Sequence, residues 1–126
     1  MSTHQTPSQV FDHHAKVLAD GDIWGIVGDY AEDAVSIDPD GVLRGRDGIR
    51  RAFVKLLGDL PEAQWEFETT LADDVVLLRW SAESAHTRVD DGVDTFVVNN
   101  RLIRAQTVSY TLQRKRRSPD PEGAPK

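Results

Sequence analysis

The hydrophobic pattern of the chain changes near residue 60 from a mainly helical period to a strand period. Before that point apolar residues recur every three to four positions, as in Ile49, Ala52, Phe53, Leu56 and Leu57, which is typical of amphipathic helices. Beyond it they alternate with polar residues, as in AQWEFETT at 63–70, which is typical of half-buried strands. Helices followed by a run of strands indicate an α+β fold.

Local signals set the limits of the predicted elements. The capping box TPSQ begins the first helix, Asp22 caps the second and Asp47 the third, because these side chains accept hydrogen bonds from free backbone N–H groups. The predicted strands are AVSID at 34–38, then 63–70, about 75–89, 93–98 and about 102–113. DDG at 90–92 and Asn99-Asn100 are the predicted turns between the last three strands.

The chain has 126 residues, which is enough for one domain with its own core. We assign residues 1–113 to that domain. Residues 114–126 form a basic cluster followed by a polar, Pro-rich segment, and this composition predicts a disordered tail.

Composition excludes several classes of function. There is no cysteine and the net charge is −6, which excludes thiolate chemistry and argues against nucleic-acid binding. The sequence lacks the run of about 18 apolar residues that a membrane helix needs and the apolar stretch of a signal peptide. It has no metal-ligand spacing and no phosphate loop. We therefore expect a cytoplasmic protein without metal, cofactor or membrane partner.

Three segments carry a resemblance to a known superfamily. They are DGDIWGIVGDYAEDAVSIDPDG, RGRDGIRRAF and VDTFVVNNRLIRAQTVSY. Together they resemble the nuclear transport factor 2-like superfamily, nearest to its SnoaL-like and ketosteroid-isomerase-like branches, over about residues 8–113. The resemblance implies a cone-shaped, mainly antiparallel sheet wrapped around three helices, with one deep apolar pocket and a homodimer formed through the sheet.

The isomerase branch has three polar groups in its pocket, and the resemblance carries them to three positions here. A base at the end of the first strand corresponds to Asp38. A protonated Asp on the hairpin corresponds to Asp94. A hydroxyl donor on the first helix corresponds to His14, where the isomerase has Tyr, so this chain departs from the pattern there.

Each position also has a structural interpretation. His14 lies in the centre of the apolar arc of its helix, so it is either a core histidine or a pocket donor. Asp38 and Ile37 lie on opposite faces of the strand, so Asp38 points to solvent if Ile37 faces the core. Asp38 faces the pocket only if the polar face of the strand is the pocket face or a bulge near Pro39 turns the side chain inward.

The third position, Asp94, depends on the register of the last hairpin. A turn at Asn99-Asn100 pairs Asp94 with Ala105, on one face with Phe96, Ile103, Thr107 and Ser109. Apolar and small neighbours of this kind would raise the pKa of Asp94 and let it donate a hydrogen bond. Alternatively, DDGVD is an acidic turn with Asp94 at its solvated end.

We predict a small-molecule pocket protein that binds an apolar compound. Cofactor-free proton transfer alpha to a carbonyl, of the isomerase or cyclase type, would use Asp38, His14 and Asp94. Alternatively, the domain binds a ligand without turnover or serves mainly to form a dimer. The predicted pocket wall comprises Val10, Tyr30, Phe53, Trp65, Phe96, Ala105 and Thr107.

Overall fold

The computed structural model describes residues 6–115. The predicted disorder of the tail therefore falls outside the described residues from 116 onward. Three helices and seven strands follow one another along the chain: α1 Pro7–Ala19, α2 Ile23–Gly28, β1 Tyr30–Asp38, β2 Gly41–Arg44, α3 Gly45–Asp59, β3 Gln64–Ala72, β4 Val75–Glu83, β5 Thr87–Asn99, β6 Leu102–Ser109 and β7 Gln113–Arg114. The predicted α+β class is confirmed.

The helix starts follow the predicted caps in two cases of three. Thr6 accepts a hydrogen bond from the Gln9 backbone N–H while the Gln9 side chain accepts one from Thr6, and Asp22 accepts one from Gly25. The prediction for α3 is wrong, since that helix begins at Gly45, immediately after β2, and Asp47 lies inside its first turn.

The strands form one curved, unclosed sheet in the order β2-β1-β6-β5-β4-β3, with β7 paired to β5. Only the β1–β6 pair is parallel among the described strands. The strand β2, for which the sequence analysis predicts no element, pairs with β1 through a turn at Pro39-Asp40. No helix within residues 6–115 is both long and apolar enough to cross a membrane.

The predicted strand 75–89 is two strands. The chain reverses after β4, and the Ser84 N–H bonds to the Thr87 carbonyl at 2.9 Å. DDG at 90–92, predicted as a turn, lies within β5, where the pairing with β4 shifts register between Trp80 and Ala82. The residues DDG correctly indicated a break in the regular strand pairing, but the prediction of a turn is wrong, because the break is a bulge. Bulges and turns use the same flexible residues.

The hairpin of β5 and β6 also differs from the prediction. Its turn residues are Asn100 and Arg101, both with positive φ, and the pairing shifts register between Val97 and Val98. Asp94 consequently pairs with Val108 and not with Ala105. A displacement by an odd number of residues exchanges the two faces of a strand.

Candidate functional site

A cavity of about 450 Å³ opens between α3, the end of β1 and the strand β6. Half of its lining residues are apolar, and four of the eight polar ones are carboxyl groups. The lining residues are Ser36, Asp38, Pro39, Asp40, Leu43, Ile49, Ala52, Phe53, Lys55, Leu56, Asp59, Asp94, Gln106, Val108, Tyr110 and Leu112. Asp38 and Asp94, distant in sequence, thus line one cavity.

Asp38 reaches the cavity because the polar face of β1 is its inner face. Ser36 is buried while Ile37 is 46% exposed, so the alternation is intact and no bulge at Pro39 is needed. The Asp38 Oδ1 accepts hydrogen bonds from the backbone N–H groups of Asp40 at 2.7 Å and Gly41 at 3.0 Å. The turn that follows the strand therefore fixes the carboxylate at the cavity rim.

Asp94 lies deeper and is 6% exposed. Its Oδ1 accepts a hydrogen bond from the Trp80 indole at 2.9 Å, and its Oδ2 accepts one from the Gln106 amide at 2.8 Å. Burial raises the pKa of Asp94 from its ordinary value near 3.8 to about 7, although both hydrogen bonds favour the charged form. The predicted rise of this pKa is thus present, but with neighbours other than those predicted.

The bulge in β5 positions Trp80 over Asp94. A Cβ atom on Gly92 would lie 2.1 Å from the Trp80 Cε2 atom, so the indole occupies the space that any other side chain would need. The Trp80 ring also contacts Trp65 and Tyr110. Gly92 is therefore required for close approach of the ring to the strand.

The structure does not bring His14 into the cavity lining. Its ring is 1% exposed and packs against Phe11, Tyr30, Phe53 and Phe96. Its Nδ1 is 3.5 Å from Asp29 Oδ2, and within residues 6–115 neither ring nitrogen has a hydrogen-bond partner. The helical spacing predicted its inward direction correctly, but the side chain lies in the aromatic core behind Phe53.

The other predicted wall residues separate into four groups. Phe53 lines the cavity, while Val10, Tyr30 and Phe96 are buried in the core outside the lining. Trp65 on β3 lines a different groove beside the ends of α1 and α3. Ala105 and Thr107 face the opposite side of the sheet, because the hairpin register places Gln106 and Val108 inside instead.

Two functional candidates were missed by the sequence prediction. Gln106 bonds to Asp94, and Tyr110 lies at the cavity with its pKa raised by burial and, to a smaller extent, by the charges of Asp59, Asp38 and Asp94. Both alternate with Val108 along the last strand and its extension. That alternation would have identified them once the register was known.

The arrangement can hold a ligand between two carboxyl groups of unlike environment. Asp38 is held by backbone N–H groups at a half-buried rim, while Asp94 is enclosed and close to half-protonated at neutral pH. Such a pair can divide the roles of proton acceptor and hydrogen-bond donor. Among residues 6–115 no three His, Asp or Glu side chains converge as metal ligands would.

Solved structures of other proteins share this fold. A proposed ketosteroid isomerase from Kribbella flavida aligns with a TM-score of 0.72 at 15% identity, over 96% of this chain and 90% of that one. A proposed polyketide cyclase from Sinorhizobium meliloti aligns with a TM-score of 0.63 at 17% identity, over 79% and 92%. SalBIII, an epoxide hydrolase/cyclase-like enzyme of pyran ring formation in salinomycin, aligns with a TM-score of 0.70 at 19% identity, over 83% and 90%.

The sequence comparison agrees with the fold. No curated protein sequence matches this chain. A family model described as a SnoaL-like domain matches residues 11–106, a span that includes β1, Asp38, Asp94 and Gln106. The chain belongs to the SnoaL-like domain family.

Proposed function

We propose that this protein is a cofactor-free enzyme that transfers a proton at the carbon alpha to a carbonyl of a small molecule. The observation that carries the proposal is the placement of Asp38 and Asp94 on one cavity of about 450 Å³. Isomerisation and aldol-type cyclisation both begin with this step. The relatives named as isomerase and cyclase are consistent with it.

In this mechanism the two aspartates have different tasks. The Asp38 carboxylate removes the alpha proton, and the electrons of that C–H bond move toward the carbonyl oxygen. Protonated Asp94 donates a hydrogen bond to the developing enolate oxygen. Tyr110, which burial keeps in its phenol form, supplies a second donor in place of the helix tyrosine that His14 replaces.

The charges at the cavity define the class of substrate. Among residues 6–115, four carboxyl groups and one lysine line it, and that lysine, Lys55, is already paired with Asp59 at 2.7 Å. An anionic ligand would meet like charges in a partly desolvated site, which is unfavourable. We therefore propose an uncharged carbonyl compound with an apolar body.

The proposal is tested by following conjugated enone formation from a β,γ-unsaturated ketosteroid by absorbance. We expect turnover that falls by roughly a hundredfold or more in Asp38→Asn, because a positioned base is lost. Asp40→Asn is the matched control, since Asp40 lines the same cavity but is exposed. Equal losses in the two variants would contradict the role of Asp38.

A second candidate function is ligand binding without turnover. It is favoured by the fact that both Asp94 oxygens already accept hydrogen bonds from the protein, as in a structural network. Saturable steroid binding with no turnover, and equal affinity in wild type and Asp94→Asn, would support this alternative.

A further inference from the structure

Four buried side chains form a continuous hydrogen-bonded row, and two of them, Asp94 and Gln106, line the cavity. The Tyr30 hydroxyl donates to Gln106 Oε1, Gln106 Nε2 donates to Asp94 Oδ2, and the Trp80 indole donates to Asp94 Oδ1. Tyr30 is fully buried and Gln106 is 4% exposed. The row links β1, β6, β5 and β4, and Tyr30 lies outside the cavity lining.

The chemistry of each member restricts the protonation of Asp94. An indole N–H only donates, so Oδ1 must accept. The Gln106 amide can present either its NH₂ group or its oxygen to Oδ2. A proton on Oδ2 requires an acceptor there, and Gln106 can provide one only if its amide turns over.

The Tyr30 hydroxyl opposes that rotation. With the amide turned over, Gln106 would present NH₂ to Tyr30, and the hydroxyl hydrogen would lose its acceptor. Within residues 6–115 the hydroxyl has no other hydrogen-bond partner. Burial, with the nearby charges of Asp94 and Asp29, raises the pKa of Tyr30, so the hydroxyl keeps its proton and remains a donor.

We propose that Tyr30 controls the charge of Asp94 through the orientation of the Gln106 amide. Tyr30 and Gln106 are positioning residues, and Tyr30 acts on Asp94 without touching it. In the orientation observed, the pair favours the carboxylate form of Asp94, and a turned-over Gln106 amide favours the acid form.

Other ionisable groups also face this row. The cavity side carries Asp38 from β1, Asp40 from the turn after it, Lys55 and Asp59 from α3, and Tyr110, while His14 and Asp29 lie on the side of Tyr30. These groups are unchanged when only the Tyr30 hydroxyl is removed. The Tyr30→Phe variant therefore isolates the effect of the amide.

The test is a titration of the Asp94 side-chain carboxyl carbon by ¹³C NMR in the full chain. We expect the midpoint to rise by roughly 0.5 to 1 pH unit in Tyr30→Phe, the value of about one hydrogen bond. Gln106→Leu should raise it at least as far. Tyr110→Phe makes the same chemical change at a hydroxyl that is not bonded to Gln106, and should leave the midpoint in place.

A second readout needs no variant. In wild type, the Gln106 side-chain amide and the Tyr30 Cζ resonances should titrate with the Asp94 midpoint. A flat Tyr30 resonance, or an unchanged Asp94 midpoint in Tyr30→Phe, would overturn the proposal.

The kinetic consequence rests on the proposed function. If protonated Asp94 is the donor in catalysis, the alkaline limit of turnover should move upward in Tyr30→Phe by the same amount as the NMR midpoint. If the Asp94 midpoint rises in Tyr30→Phe but the protein does not turn over the ketosteroid, this inference holds and the proposed function fails for that substrate. A moved midpoint with an unmoved alkaline limit would contradict the link between them.

Discussion

Asp94 is a buried carboxyl group, and its burial carries an electrostatic cost for the folded state. A carboxyl group that is 6% exposed loses most of its hydration, and two hydrogen bonds from neutral donors replace it only in part. Its pKa of about 7 means that the folded protein holds a proton on Asp94 at pH values where the unfolded chain has released it. Site chemistry and stability are therefore linked at this position.

The sign of this linkage predicts how stability depends on pH. The folded-state pKa is the higher one, so the contribution of Asp94 is complete below about pH 4 and is lost as pH rises to about 7. From pH 4.5 to 8, wild type should lose roughly 2 to 3 kcal/mol of unfolding free energy relative to Asp94→Asn. Urea unfolding at both pH values measures the difference.

Asp12→Asn is the control for that series, because Asp12 is exposed on α1. It should follow wild type at both pH values. If the unfolding free energies of Asp94→Asn and wild type differed by the same amount at both pH values, Asp94 would be ionised in the folded state over this whole pH range.

Residue patterns predicted which way a side chain points better than they predicted which residues it contacts. The inward direction of His14 followed from helical spacing, and the association of Asp38 with a pocket followed from the resemblance. Gln106 and Tyr110 could not be predicted, because their faces depend on a turn displaced by one residue and a register shift near Val97. A single sequence contains no signal for the register across a hairpin with such a shift.

At the scale of the element, the bulge in β5 relates the strand pairing of the fold to the position of Trp80 at the site. It breaks the pairing beside Gly92 and creates the gap in which Trp80 lies. The DDG signal was visible in the sequence, but whether it turns or bulges depends on pairing with β4, which is tertiary information.

Gly92→Ala should be strongly destabilising. The new Cβ would lie 2.1 to 2.5 Å from three atoms of the Trp80 ring, so the ring must shift away from Asp94. We expect a loss of about 1 to 3 kcal/mol in unfolding free energy, as in other overpacked sites. Urea unfolding measures it.

Two control experiments test whether contact with the Trp80 ring causes the loss of stability in Gly92→Ala. Gly58→Ala adds the same methyl group in α3, where no heavy atom lies within 4 Å of the new Cβ, and should be neutral or stabilising. In a Trp80→Leu background the penalty of Gly92→Ala should shrink. A penalty of equal size there would show that the indole is not its source.

At the scale of the whole molecule, the outer face of the sheet carries no charged side chain over two adjacent rows from β1 to β4. The rows are Val35, Ala105, Val97 and Val75, then Ile37, Thr107, Thr95 and Leu77. Several of these apolar side chains are exposed, among them Ile37 at 46% and Leu77 at 37%. Exposed apolar patches of this kind are typical of protein interfaces, so we propose that a second copy covers this face.

Leu77→Asp should convert the expected dimer to a monomer, because it places a charge within one of the two uncharged rows, at its β4 end. Sedimentation velocity over a concentration series measures the change. Val54→Asp alters an apolar residue on α3 that is 48% exposed, more than Leu77, and lies away from the sheet, so it should not affect association. A wild-type chain that sediments as a monomer would exclude the dimer.

The fold as a whole was predictable because many weak signals agree. Helical spacing, two of the three caps and the alternation after residue 60 all indicate helices followed by strands, and the resemblance supplies the curvature. The cavity was less predictable, because its lining joins residues from five elements, β1, β2, α3, β5 and β6, whose spacing depends on tertiary packing.

The most direct test of the central claim is exchange of alpha protons. A cyclic ketone such as 2-decalone would be incubated with the protein in D₂O, and loss of its alpha-proton signals followed by ¹H NMR. The account predicts catalysed exchange in wild type that Asp38→Asn abolishes, whichever reaction follows the proton transfer. A ketone that binds in the cavity and exchanges no faster than in buffer would contradict it.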